Sequence, residues 1–290
     1  MKKLAVLFII GLCASCTTDS VDDITDVTIT GYRIEKTTSP GYNNVTIGNL
    51  LNGKLYSETH QETIGGVVQE PTTQQIFFYN TDGTVNRYVQ HYPSYDRMVY
   101  LYYDADQNLI GAKTTLMGGP EELYYRFVHN LNNTVFFEKI NAAYDNPAAM
   151  AYSRIVLQFN NNDDVVSAGI DANFDGVAEN ANTFQYNNNN ISRIAFSNGT
   201  VVDYEYSNII DSSLYLWDKS IGGKTRKIIA AECYWAGPSS YFMDNLSISK
   251  NILQENASLA TFQVLPNNFY QSKTLTLDTS GTTVTQFFFD

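Results

Sequence analysis

The chain is poor in cysteine, with three in 290 residues, which excludes a disulfide-stapled scaffold. It is poor in positive charge, with 18 Lys and Arg against 30 Asp and Glu. That excludes the basic stripe needed for nucleic acid, and flat adsorption on anionic lipid. No apolar run approaches the about 20 residues that a membrane-crossing helix needs. Histidine is scarce, and His60, His91 and His129 have none of the short spacings of zinc sites, so they are read as strand residues. A G-x-S-x-G elbow, an H-E-x-x-H pair and the phosphate-cradling glycine loops are all missing, and no catalytic residue is assigned. The carboxylate pairs Glu121-Glu122 and Asp163-Asp164 sit in turn-like contexts. Glycosidase carboxylates are distant in sequence, so a hydrolase site is not legible from spacing.

What is present begins with an export signal. Lys2 and Lys3 precede the apolar stretch from Leu4 to Leu12, and Ala14 and Ser15 precede Cys16. Small residues directly before a cysteine resemble the bacterial lipobox, with Cys13 where an aliphatic residue is usual. The resemblance implies cleavage after residue 15 and a lipid on Cys16. Cys233 then has no partner for an intrachain disulfide, so the domain relies on its core. Residues 16–30 carry Asp19, Asp22, Asp23 and Asp26 and are expected to form a lipidated, flexible tether. Acidic residues in that place resemble the export signals of Bacteroidetes-type surface lipoproteins.

From Gly31 to Asp290 one pattern recurs. An aromatic or β-branched run ends in an Asn/Asp/Gly cluster, and a second run follows. Asn80–Gly83, Asp104–Asn108, Asn130–Asn133, Asn160–Asp164, Asn187–Asn190, Ser197–Gly199 and Asp278–Gly281 are such clusters. Their residues accept the positive φ of tight turns, which makes each a hairpin signal. The fold class is all-β. The expectation is an antiparallel meander of repeated hairpins in one long curved or partly closed sheet, with at most short helical turns. Two stretches break the rhythm. Pro147 predicts one helical turn at 144–150, and 208–244 predicts a short helix or an Ω-type loop over one end of the sheet.

Tyr102-Tyr103-Asp104-Ala105-Asp106-Gln107-Asn108-Leu109 resembles a YD (RHS-type) repeat, and looser copies run from about Ile76 to Tyr206. Lipobox, tether and hairpins together resemble Bacteroidetes lipoproteins with a domain of unknown function. That resemblance implies a long curved meander on an outer membrane, surface-exposed or periplasm-facing, and supplies no activity.

The sharpest local motif is Asp171-x-Asn173-x-Asp175-Gly176-Val177-x-Glu179. Oxygen ligands at positions 1, 3, 5 and 9, a glycine at 6 and the Val177 carbonyl at 7 resemble a calcium loop with a structural ion. Asn182 stands where an EF-hand has its bidentate Glu. The other reading is a polar turn. Asp104-x-Asp106-x-Asn108 shares the 1-3-5 spacing without the glycine and is read as a hairpin turn. Cys233, beside Tyr234 and Trp235, is read as a buried apolar residue.

The chain carries 21 Tyr and 16 Phe, and alternation would place a row of them on each sheet face. Exposed rows could stack on sugars or anchor a protein; the other reading buries both. These features predict a lipid-anchored envelope protein serving as a non-enzymatic binding or structural module. Its partners would be the membrane through the lipid, and a glycan or an envelope protein. An extracellular polymer hydrolase using carboxylates on the sheet face is the alternative.

Overall fold

The computed structural model describes residues 28–39, 41–91, 95–117, 122–231, 249–254, 259–277 and 281–290. Cys16, Cys233, Trp235 and nearly all of the tether lie outside the described residues. The first strands are β1 (Ile29–Ser39), β2 (Tyr42–Leu51), β3 (Lys54–Ile64), β4 (Val67–Val68), β5 (Thr72–Tyr79), β6 (Val85–His91) and β7 (Asp96–Tyr103). Next come β8 (Leu109–Met117), β9 (Glu122–Asn130), β10 (Thr134–Ile140), β11 (Ala151–Phe159), β12 (Val165–Ile170), β13 (Asn180–Asn187), β14 (Asn190–Ala195) and β15 (Val201–Asp203). A short pair, β16 (Tyr206–Ile210) and β17 (Asn251–Leu253), brackets helices α1 (Ser212–Ile221) and α2 (Gly223–Ile229). Last are β18 (Ala260–Val264), β19 (Tyr270–Leu277) and β20 (Gly281–Phe289).

All strands but β16 and β17 join one 18-stranded sheet, each pair antiparallel and nearly each pair consecutive in sequence. The exceptions are β3 with β5, around the two-residue β4, and the return of the C-terminus: beyond β1 lie β20, then β19, then β18, so β1 lies between β2 and β20. The sheet edges are therefore β15 and β18, which do not pair with each other. The β16–β17 pair bridges the gap at one end. On one side Asn251 N–H donates to Asn190 Oδ1 at 2.8 Å; on the other Ile210 N–H donates to the Asn268 carbonyl at 2.9 Å. The meander and its partial closure agree with the sequence expectation.

The turns are built to two patterns. At Asn52-Gly53, Gly65-Gly66 and Asn188-Asn189 both central residues have positive φ, the signature of two-residue hairpins. At Asn80, Asp104, Asn160, Phe196 and Leu265, the first residue bonds the residue four on, and its carbonyl accepts from the residue three on. The fourth residue has positive φ in every copy: Gly83, Gln107, Asp163, Gly199 and Asn268. Each is a type I turn followed by a left-handed residue. In the Asp104 and Asn160 copies the first side chain also caps the turn. It accepts from the backbone of Asp106 and Asn108, or of Asn162 and Asp164. The hairpin expected at Asp104–Asn108 is thus present.

Six hairpins at one end of the sheet carry a bulge in the strand after the turn. An extra residue on one strand shifts its alternation. The two consecutive inward residues then stand three apart: Leu55 and Glu58, Val85 and Tyr88, Leu109 and Ala112, Val165 and Ala168.

Inward residues at this end meet the two helices in one core. Leu55, Phe77, Val85, Leu109, Leu157, Val165, Leu216 and Ile228 are all buried there. Burying a Leu or Phe side chain of this kind contributes about 1.5–3 kcal/mol. Phe159, before one turn, lies under Lys224 of α2, and Tyr79, before another, donates at 2.5 Å to the carbonyl of Leu55, whose amide donates to Ser220 of α1. Trp217 of α1 packs edge-on against Phe77 at 5.6 Å. Asp211 caps α1 by accepting from the Ser213 and Leu214 amides. The predicted helix over one end of the sheet is therefore two helices, α1 running ten residues. At 144–150 the prediction fails. Asn146 to Ala149 form a single β-turn, with the Asn146 side chain accepting from Ala148 N–H, because Pro147 suits the second position of a turn as well as a helix start.

Candidate functional site

The loop Asp171–Glu179 folds over the outer face of β10 and β11, away from the helices. Asp171 is fully buried. Its oxygens accept from the amides of Asp175 (3.1 Å) and Gly176 (2.9 Å), and Arg154 Nη1 pairs with it at 2.9 Å. Asn173 Oδ1 accepts from Asp175 N–H, and Asp175 Oδ1 from Val177 N–H. Glu179 accepts from the amides of Ala172 and Asn173. Burial alone would raise the Asp171 pKa, but Arg154 and the two amides outweigh it and hold the carboxyl below its usual range.

Arg154 belongs to a row across three strands. Glu138, 1 % exposed, receives Arg126 at 2.7 Å and Arg154 at 2.6 Å on its two oxygens. The Arg154 guanidinium also donates to the Phe174 carbonyl and lies under 5 Å from the ring centroids of Phe136 and Phe174. The five predicted calcium ligands thus share one loop, and the carboxylates of Asp171, Asp175 and Glu179 are engaged by loop donors and, at Asp171, by Arg154. Among the described residues no three of His, Cys, Asp and Glu converge to hold a metal.

The histidines each have a protein partner. His60 meets Thr46 at 3.3 Å and Glu62 at 3.4 Å, His91 meets Asp96 at 2.8 Å, and His129 meets the Leu109 carbonyl at 2.8 Å. Asp163 and Asp164 pair with Lys224 and Lys227 of α2, and Glu122 pairs with Lys113.

A second arrangement escaped the sequence reading. The helix-bearing face is apolar at the helix end and turns polar along β1–β7. One cross-strand row there runs Phe287, Tyr32, Gly48, Glu58, Gln75, Gln90, Arg97. The Tyr32 hydroxyl donates to Glu58. Burial raises the Glu58 pKa, an effect the Tyr32 bond only partly offsets. Gln75 is 7 % exposed. His60 and Glu62 continue the face beyond Glu58. Farther along the same face Leu123, cross-strand from the buried Thr114, is 43 % exposed. Glu58 and Glu62 stand four residues apart on β3, about 13 Å along the backbone. Glycosidase carboxyl pairs stand about 5–9.5 Å apart.

The aromatic rows divide. Phe77, Phe127, Phe137 and Phe184 are core, while Tyr56, Phe78, Tyr152 and Phe288 are exposed. Some outward rings have partners: Arg87 lies over one side of Phe78, and Tyr144 stacks on Tyr102 at 4.7 Å.

No protein-family model matches the chain, and no curated protein matches it. Among solved structures it is similar to a porin-like protein from Bacteroides uniformis. The identity is 10 %, the match covers 90 % of this chain and 98 % of that one, and the TM-score is 0.29. So loose a likeness assigns neither function nor detail of fold.

Proposed function

We propose that the chain is an outer-membrane lipoprotein, anchored through Cys16, whose sheet is a non-enzymatic binding module for an envelope or environmental glycan. The observation that carries the binding reading is the division of the inner face. The two helices fill its apolar end, and the row from Tyr32 to Arg97 gives the other end polar groups. Clefts lined by a few placed polar groups beside apolar walls are where small ligands bind. The resemblance of the hairpins to YD-type repeats is retained as a proposal. Calcium at Asp171–Glu179 is retained as a proposal; an ion there would have to draw Glu179 and Asp175 off the amides they now engage.

Two measurements test the reading. Intact-mass analysis of membrane-extracted protein should show an acylated Cys16, and Cys16→Ala should release the chain from the membrane; an acylated or membrane-bound variant would refute the anchor. A glycan array probed with the chain from Thr17 onward should show binding. A blank array would leave a protein partner as the occupant.

A further inference from the structure

The polar row contains groups that the fold itself does not use. Gln75 is more than nine-tenths buried, yet its side-chain amide has no hydrogen-bond partner among the described residues. Its cross-strand neighbour Gln90 has a buried Oε1 that is likewise unpartnered. The next residue in the row, Arg97, is half-buried and makes no ion pair or hydrogen bond among the described residues. Buried polar groups are nearly always satisfied, so the unpartnered Gln90 Oε1 is a sign of a missing partner, and Gln75 and Arg97 flank it in the row. At the other end of the row Glu58 and Tyr32 satisfy each other.

We propose that this row binds an oligosaccharide bearing a carboxylate, with Arg97 pairing the acid and Gln75 and Gln90 bonding sugar hydroxyls. This rests on the binding-module reading and names its ligand class. The chemistry follows from the groups. A guanidinium without a protein carboxylate presents a planar fork suited to a ligand carboxylate. Two primary amides offer donors and an acceptor each, the match for vicinal hydroxyls. The nearest carboxyl in the row, Glu58, lies three strand spacings from Arg97, about 14 Å. That separation keeps Glu58 from neutralising Arg97 and leaves room for more than one sugar ring. Tyr88, beside Gln90 on the same face and packed at the core margin, offers a ring edge to the sugar.

Titration calorimetry on the detergent-solubilised full chain tests this with two probes. One is a disaccharide containing glucuronic acid; the other is the same disaccharide with its carboxyl reduced to an alcohol. The acid should bind at least tenfold more tightly. Arg97→Ala should abolish that preference and Arg97→Lys should keep part of it. Gln90→Leu should weaken both sugars while leaving the thermal midpoint unchanged or higher, because it removes a buried unpaired carbonyl. That variant keeps the test usable if Arg97→Ala does not fold. Equal affinity for the two sugars, or a preference that survives Arg97→Ala, overturns the carboxylate proposal and leaves the module reading standing. Binding of neither probe, together with a blank glycan array, overturns the carboxylate proposal and the glycan reading of the module alike.

Discussion

The ring of Tyr32 lies across the backbone of Gly48, its partner on the adjacent strand, so closely that a Cβ at 48 would sit 1.9 Å from the ring. The glycine is what lets the hydroxyl reach Glu58 on the strand beyond. Gly111 does the same for Tyr144, whose ring would lie 2.4 Å from a Cβ there.

Gly48→Ala should therefore force Tyr32 off its position. Overpacking of this kind costs about 1–3 kcal/mol. Urea unfolding should show the loss, and Gly48→Ala combined with Tyr32→Ala should show less than the sum of the two single changes.

Glu58 carries a pH signature. Its pKa is raised by burial, so its contribution to stability is fully present below its unfolded value and is lost as pH rises through the folded one. Glu58→Gln mimics the protonated form. The difference in melting temperature between Glu58→Gln and the parent should be near zero in acid and should grow in favour of the variant as pH rises past 4.5. A difference independent of pH would remove the buried-acid reading.

Arg154 bridges two buried carboxylates. Replacing it with Met leaves Glu138 with Arg126 alone and takes from Asp171 its ion-pair partner. Breaking one member of a buried pair costs about 3–5 kcal/mol. Denaturation at neutral pH should show the loss. It should shrink as pH falls below the usual Asp range, because Asp171 has a lowered pKa and its stabilisation is present above the unfolded value and lost in acid.

The Asp171–Glu179 loop is closed by its own amides and Arg154, so it should keep its shape without a cation. The calcium proposal expects a midpoint that rises with millimolar calcium, together with heat on titration. Asp175→Asn should abolish the rise. A melt in EDTA that matches one in calcium would withdraw the proposal.

Hairpins, their order and their all-β character were legible because they depend on local chemistry. Asn, Asp and Gly accept the left-handed backbone that each turn needs, and the runs between them have strand composition. The capping of Asp104 and Asn160 is likewise a property of a few consecutive residues. The loop at Asp171 was legible as an oxygen-rich turn, but its role was not. Arg154 is 17 residues away in sequence, and only strand register brings it beside Asp171 and Glu138.

Tyr32, Glu58, Gln75, Gln90 and Arg97 were hidden for two reasons. They come from five strands spread over 66 residues, and plain alternation puts Glu58 on the wrong face. Leu55 and Glu58 are three apart, and period two separates them. The bulge at Tyr56 inserts one residue and returns both to the inner side. The scarcities of cysteine, positive charge and long apolar runs were decided by composition alone, and so were the classes they exclude. Which face each side chain occupies, and which polar groups are left without partners, was decided only by register, bulges and the packing of the two helices.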